Sequence, residues 1–338
     1  MATADNTRAT LNSVARQAGV SRQTVSNVLN SPELVTPDTR DRVLKAIQQQ
    51  GYRPHRAARQ LRTRRSQLIG LRIEPMRDGI NGVVLDRFLH SLTASAERHD
   101  HRIMLFTASD DESETRAYAD LVATVGMDAF VLTNTHHGDL RTRWLREQGL
   151  PFVTFGRPWG AEEEHPWVDV DGAAGTRLAT DYLVRKGHRV IAFVGWPRDS
   201  GGGDDRRSGW LAALRAAELP DSPSTEVLDG VEGGRSAAAR LLDGDGPAPT
   251  AFVCASDSLA LGVVTELGER GLRPGADVAV TGFDDTPAAE ILGITSVSQP
   301  ISEVAAACVQ QLRAVLAGPG TEPPKSVLLA PRLVLRKT

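Results

Sequence analysis

Cysteine is nearly missing from this 338-residue chain: there are two, Cys254 and Cys308, each inside an apolar run. Thiols so few and so placed exclude a disulfide framework, and both are expected as buried free cysteines. No run of 18 or more apolar residues occurs, which excludes a membrane-spanning helix. The opening "MATADNTRAT" has no apolar core of the secretory kind, so a cytoplasmic location is expected. Short-period repeats and low-complexity tracts are missing too. The "GGGDD" loop (201–205) is not followed by Gly-Lys-Ser/Thr, so it is no phosphate-binding loop of that kind. His136 and His137 lack partners at metal-ligand spacing, and no metal is expected. No nucleophile, base and orienting group stand out together, so the chain is expected to be no enzyme, with no catalytic residue and no cofactor. Adjacent aspartates alone do not argue otherwise, because a binding cleft needs acceptors as much as a glycosidase does.

The most informative absence is local. From Val14 to Asn30, "VARQAGVSRQTVSNVLN", there is no Asp or Glu, while Arg, Gln, Asn, Ser and Thr fill the face opposite the apolar stripe. The whole head shares this bias: residues 1–65 hold 12 Lys/Arg against 4 Asp/Glu, or +8, and the remainder holds 27 against 38, or −11. A basic head on an acidic body implies an acidic partner for the head, with double-stranded DNA the first candidate.

The head reads as three short helices. Thr10 caps one to about Gln17, and Gly19 turns the chain. Ser21 caps a second to about Leu29, and Thr36-Pro37 starts a third that Gly51 stops. Leu11, Val14, Ala15, Val20, Val25, Val28, Leu29, Val43, Leu44 and Ile47 are its expected core. Two helices joined by a short glycine-containing turn form a helix-turn-helix, whose second helix enters the major groove. Arg22, Gln23 and Asn27 then reach base edges, since Arg forks onto guanine and Gln or Asn pairs with adenine. Ser21, Thr24, Ser26 and Asn30 are short donors suited to phosphate oxygens.

Beyond the arginine-rich "YRPHRAARQLRTRRSQ" (52–67) the pattern changes. Apolar runs at 68–73, 102–106, 129–133, 152–155, 190–196, 226–229, 251–255 and 278–283 alternate with helical stretches, and a helix (301–317) and one strand (326–336) close the chain. Such alternation predicts parallel sheets covered on both faces. The expected fold class is an N-terminal all-α helix-turn-helix head plus an α/β body of two similar parallel-sheet lobes. Four segments follow strands: "FGRPWG" (155–160), "GWPRDSGGGDDRRSGW" (195–210), "CASDS" (254–258) and "GFDD" (282–285). All fall at carboxyl ends of strands, where open α/β sheets bind ligands.

Residues 9–71, together with "GHRVIAFVG" (187–195), "RRSGW" (206–210), "SDSLALG" (256–262) and "TGFDD" (281–285), resemble a LacI/GalR-type transcriptional regulator. The resemblance covers nearly the whole chain and is most specific in the head. It implies a homodimer with a periplasmic-binding-protein-like body that holds a small-molecule effector in its cleft. The implied domains are a DNA-binding head (1–54), a hinge helix (55–66), lobe 1 (67–163 and 299–325) and lobe 2 (164–298 and 326–338). In the hinge, Leu61 matches a leucine that wedges between base pairs, with Arg56, Ala57, Ala58 and Gln60 lining the minor groove. In the cleft, Arg206 matches the effector-gripping arginine and Asp284 the acid after the last cleft strand. Arg157, Trp159, Trp196, Trp210, Ser256 and Asp257 are the further expected effector contacts, with Trp167 another candidate ring. Departures exist: Ser256 and Gly172 stand where asparagine is frequent. Duller readings stay open, with Trp210 in the core, Asp284 or Asp285 as a cap, and Arg206 paired to Asp204 or Asp205.

The function implied is repression of sugar-utilisation genes from a pseudo-palindromic operator, with release by a sugar. A purine or other non-sugar effector is the alternative within the class. A solute-binding or sugar-processing α/β protein is the alternative outside it. No heptad tail follows the final "LVLRKT", so a dimer and nothing larger is expected.

Overall fold

The computed structural model describes residues 9–52, 65–73, 82–160, 165–220, 222–318 and 325–338, in two compact units, Met1–Ser66 and Gln67–Thr338. In the first unit Thr10 opens helix α1 (Leu11–Ala18) with a reciprocal capping box to Ser13. Gly19 ends it at φ +65°, a left-handed conformation that glycine adopts at little cost. Ser21 caps α2 (Arg22–Asn30) by accepting the Thr24 amide at 3.0 Å, and Pro37 begins α3 (Pro37–Gln50). The helices close on Val14, Ala15, Ala18, Val25, Val28, Val43, Ala46 and Tyr52. Leu44 departs from the expected core and is 46 % exposed. Val43 and Ala46 already set the inward stripe of α3, and the position after Val43 turns away from it.

The strands of the second unit are β1 (Leu68–Ile73), β2 (Arg102–Thr107), β3 (Ala129–Leu132), β4 (Phe152–Phe155), β5 (Trp167–Val170) and β6 (Ile191–Gly195). They continue as β7 (Ser224–Glu226), β8 (Ala251–Cys254), β9 (Ala279–Phe283), β10 (Thr295–Ser298), β11 (Val327–Leu329) and β12 (Arg332–Val334). Between them run α4 (Val83–Glu97), α5 (Asp111–Val125), α6 (Leu140–Glu147), α7 (Gly172–Arg185) and α8 (Gly202–Ala216). The later helices are α9 (Val231–Leu242), α10 (Asp257–Glu269), α11 (Pro287–Leu292) and α12 (Ile301–Ala317). One sheet has the order β11-β5-β4-β3-β1-β2 and the other β12-β10-β9-β8-β6-β7. All pairs are parallel except the β12 edge, which runs against β10. The fold is thus the expected one of two similar lobes.

Three elements were not legible as apolar runs. β5 ("WVDV") carries a buried aspartate, and β10 ("TSVS") is short and mostly hydroxyl, so neither reads as a buried strand from pattern alone. The six-residue α11 is too short to show a period. The expected single strand at 326–336 is two, β11 and β12, and they belong to opposite sheets. Because β5 and β11 pair within the first sheet, the lobe boundaries move from 163/164 and 325/326 to the crossings at 170–172 and 329–332. Helix α12 packs on α4, β4 and β5, and so returns the chain to the first lobe after β10.

Each lobe buries its own core, Phe88, Leu92, Val131 and Val304 in the first, Phe193, Val253, Leu259 and Val280 in the second. Cys308 and Cys254 are free and buried in these cores, and burial pushes both thiols up, away from the reactive thiolate. Among the described residues no helix is long and apolar enough to cross a membrane.

Candidate nucleic-acid interface and ligand cleft

Capping at Ser21 fixes where α2 starts, and the start decides which side chains stand at its tip. Arg22 and Gln23 are exposed there, and the Gln23 amide donates to Asn27 Oδ1 at 2.9 Å, joining two of the three expected base readers one turn apart. Val25 and Val28 bury the opposite face. Ser21 and Thr24 share a hydroxyl contact at 2.9 Å, so the expected phosphate donors are first of all a cap. Ser26 is half-buried on the same helix. The side chain of Asn30, and the expected minor-groove residues Arg56, Ala57, Ala58, Gln60 and Leu61, lie outside the described residues.

The second unit carries a cavity of about 860 Å³ between its lobes, at the carboxyl ends of the strands. Five of the expected effector residues line it: Arg157, Trp159, Trp196, Arg206 and Asp284. The Arg206 guanidinium lies over Phe283, 3.7 Å from the ring centre, and beside Trp196 at 4.7 Å. It donates to the Ala255 carbonyl and stands 3.8 Å from Asp284 Oδ1. Two aromatic faces and a fixed acceptor hold the fork in one orientation. Asp284 accepts the Gln299 amide at 2.7 Å, and burial pushes its carboxyl up to about 8, against the opposing pull of Arg206. Its φ of +111° turns the chain where β9 meets the cavity. Neither Asp284 nor Asp285 caps α11; Thr286 does.

Arg157 reaches from the first lobe across the cavity. It donates to Asp169 of β5 at 2.8 Å and to Asp205 of α8 at 2.6 Å, and it lies 4.5 Å over Trp159. Trp159 packs where Gly201 has no side chain, since a Cβ there would come within 2.5 Å of the indole. A second bridge between the lobes runs from Arg87 to the Asp284 and Asp285 carbonyls. Three buried polar atoms on the cavity wall, Trp196 Nε1, Ser200 Oγ and Thr135 Oγ1, have no protein partner. Buried polar groups of this kind carry a cost unless something pairs with them.

Three expected effector residues do not line the cavity. Trp210 is 1 % exposed, gives its indole N–H to the Ile191 carbonyl at 3.0 Å and stacks on Phe193, so it belongs to the second core. Ser256 caps α10 and donates to Asp229 at 2.5 Å. Asp257, the first residue of α10, points inward and accepts the Thr286 amide at 2.7 Å and the Ser296 hydroxyl at 2.6 Å. Trp167 is likewise buried in β5, away from the cavity. The sequence reading missed Asp229 and the Asn134–His136 turn, both on the cavity wall. Asp229 follows β7, so the strand-end rule already contained the signal for it.

The fold also brings Asp111, His136 and Asp139 together, which sequence spacing did not show. Arg141 sits among them, 2.7 Å from Asp139 and 3.5 Å from Asp111, and 3.0 Å from Glu114. A guanidinium already supplies the positive charge there, and the cluster reads as a salt-bridge network.

Residues 10–55 match the family described as bacterial regulatory proteins, lacI family, and residues 180–338 match a periplasmic binding protein-like domain. The transcriptional regulator CelR of Thermobifida fusca is 36% identical over 95% of this chain and 96% of its own length. The chain belongs to the LacI family. It is therefore a DNA-binding transcriptional regulator and not an enzyme, and the basic first unit is its helix-turn-helix. Among solved LacI-family structures, the CelR–cellobiose complex superposes with a TM-score of 0.73 at 31% identity over 98% of this chain and 99% of that one. The Lac repressor dimer bound to operator and the anti-inducer ONPF gives 0.81 at 26% identity over 98% of each chain.

Proposed function

We propose that the chain represses sugar-utilisation genes and leaves a pseudo-palindromic operator when a small sugar binds between its lobes. The observation that carries this reading is the Arg206 fork held between Phe283 and Trp196 with Asp284 beside it. A paired donor and acceptor, with the partly exposed Trp196 beside them, suits the vicinal hydroxyls and apolar face of a sugar ring. A relative lends support, since CelR forms a complex with cellobiose.

At the other end, Arg22, Gln23 and Asn27 read base edges in the major groove, while Ser21, Thr24, Ser26 and Asn30 hold phosphates. A cytoplasmic homodimer places two heads on two half-sites, and Leu61, flanked by Arg56, Ala57, Ala58 and Gln60, wedges the central minor groove. The sugar acts by binding the DNA-free form more tightly, because equal affinity for both forms shifts nothing.

The test selects an operator from random duplexes and then titrates mono- and disaccharides into the complex, following anisotropy. A sugar that both raises the melting temperature and releases DNA is expected. A sugar that tightens operator binding overturns induction. Stabilisation by purines and by no sugar overturns the effector class. A variant with Arg22, Gln23 and Asn27 cut to alanine that still selects the same sequence sinks the assignment of the base readers.

A further inference from the structure

We infer that the effector is an uncharged sugar, bearing neither phosphate nor carboxylate; the inference rests on the sugar reading above. Among the described residues, each arginine and histidine on the cavity wall already faces an acidic side chain. Arg72 donates to Glu114 at 2.7 Å, His136 stands 3.1 Å from Asp111, Arg157 bridges Asp169 and Asp205, and Arg206 faces Asp284.

The other usual home for an anion is a helix N-terminus, and the one at α7 is occupied from within. At the start of α7 the Ala173 amide donates to Asp205 at 3.0 Å and the Ala174 amide to Asp171 at 2.8 Å. Gly172 permits this plug: a Cβ there would lie 2.8 Å from the Asp205 carboxylate oxygen, so a larger residue would have to shift the Asp205 side chain. Helix α8 carries Asp204 and Asp205 in its own first turn, and Ser256 fills the first turn of α10.

A phosphate that takes Arg157 and the Ala173 amide displaces Asp205 from both, leaving a carboxylate with neither partner. It also approaches Asp229 on the same wall. A hydroxylated neutral ring meets no such barrier. Trp196 Nε1, Ser200 Oγ and Thr135 Oγ1, buried atoms of wall residues, have no protein partner that it would have to displace.

The experiment is calorimetry on the full chain with glucose, maltose and cellobiose, each against its own 6-phosphate and the matching uronic acid. The expected result is a neutral sugar that binds at least a hundredfold more tightly than either charged form. In Asp205→Asn, which frees one edge of Arg157 and weakens the plug on α7, the neutral-to-phosphate ratio falls at least tenfold. A phosphorylated or uronic form that binds the natural chain as tightly as the neutral sugar overturns the inference and leaves the sugar reading standing. An unchanged ratio in Asp205→Asn overturns the role given to Asp205. If no sugar of any charge binds, the sugar reading itself fails and this inference falls with it.

Discussion

Asp284 is both a residue of the cavity wall and a buried acid. Its carboxyl is held mostly out of water beside Arg206, and its folded pKa lies near 8 against an ordinary value near 3.8. Between those values the folded chain keeps a proton that the unfolded chain has released. Stability therefore falls as pH rises from about 4 to 8 and levels off above the folded pKa. Asp284→Asn removes that slope: urea unfolding at pH 5 and pH 8 should show the variant gaining on the natural chain at the higher pH, by on the order of 1 kcal/mol or more. A gap between the two proteins that does not change with pH contradicts the assignment. The segments holding Arg206, Arg157 and Trp196 were singled out from sequence because they follow strands, and Arg206 itself by its match to a family arginine. The same rule also selected Trp210, Ser256 and Asp257, and it could not tell that these three turn inward. Position along a strand or helix places a residue near the cleft; only packing settles whether its side chain faces ligand or core.

At the scale of elements, the first-lobe turn at 133–136 depends on a buried charge. Arg141 is 1 % exposed, yet it donates to the Thr133 and Asn134 carbonyls, to Asp139 and to Glu114, and Glu114 also receives Arg72 and the Tyr118 hydroxyl. Desolvation opposes the Arg141 charge, but its carboxylate partners outweigh this and hold its pKa above the ordinary range. Burial and Glu114 together push Tyr118 up and keep its hydroxyl as a donor. Arg141→Ala removes one partner and strands the others, so a loss of about 3–5 kcal/mol is expected in chemical denaturation. A loss under about 1 kcal/mol would show that water can replace the guanidinium. Helix ends were the most legible elements, because caps such as Thr10, Ser21 and Gly51 are local chemistry. β5 and β10 were hidden because their polar residues are satisfied by distant partners, Asp169 by Arg157 and Ser296 by Asp257.

For the molecule as a whole, the +8 head and −11 remainder predict that operator and effector respond differently to salt. Neutralising phosphates releases counterions, so operator affinity should drop about a thousandfold or more between roughly 50 and 200 mM salt. Sugar affinity should barely change over the same range, since the cavity's ions are paired within the protein and the ligand is uncharged. Equal salt slopes for the two ligands, measured by anisotropy and calorimetry, would contradict the division of labour. Local periodicity and charge were enough to determine a basic helix-turn-helix followed by alternating strands and helices, because caps, stripes and charge counts need only neighbouring residues. The tertiary structure alone decided that the expected last strand is two strands in different sheets. It also decided that Trp210 is core, and that Asp205 blocks the one helix end beside Gly172. Each of these depends on residues tens of positions apart meeting in space, and no local pattern carries that information.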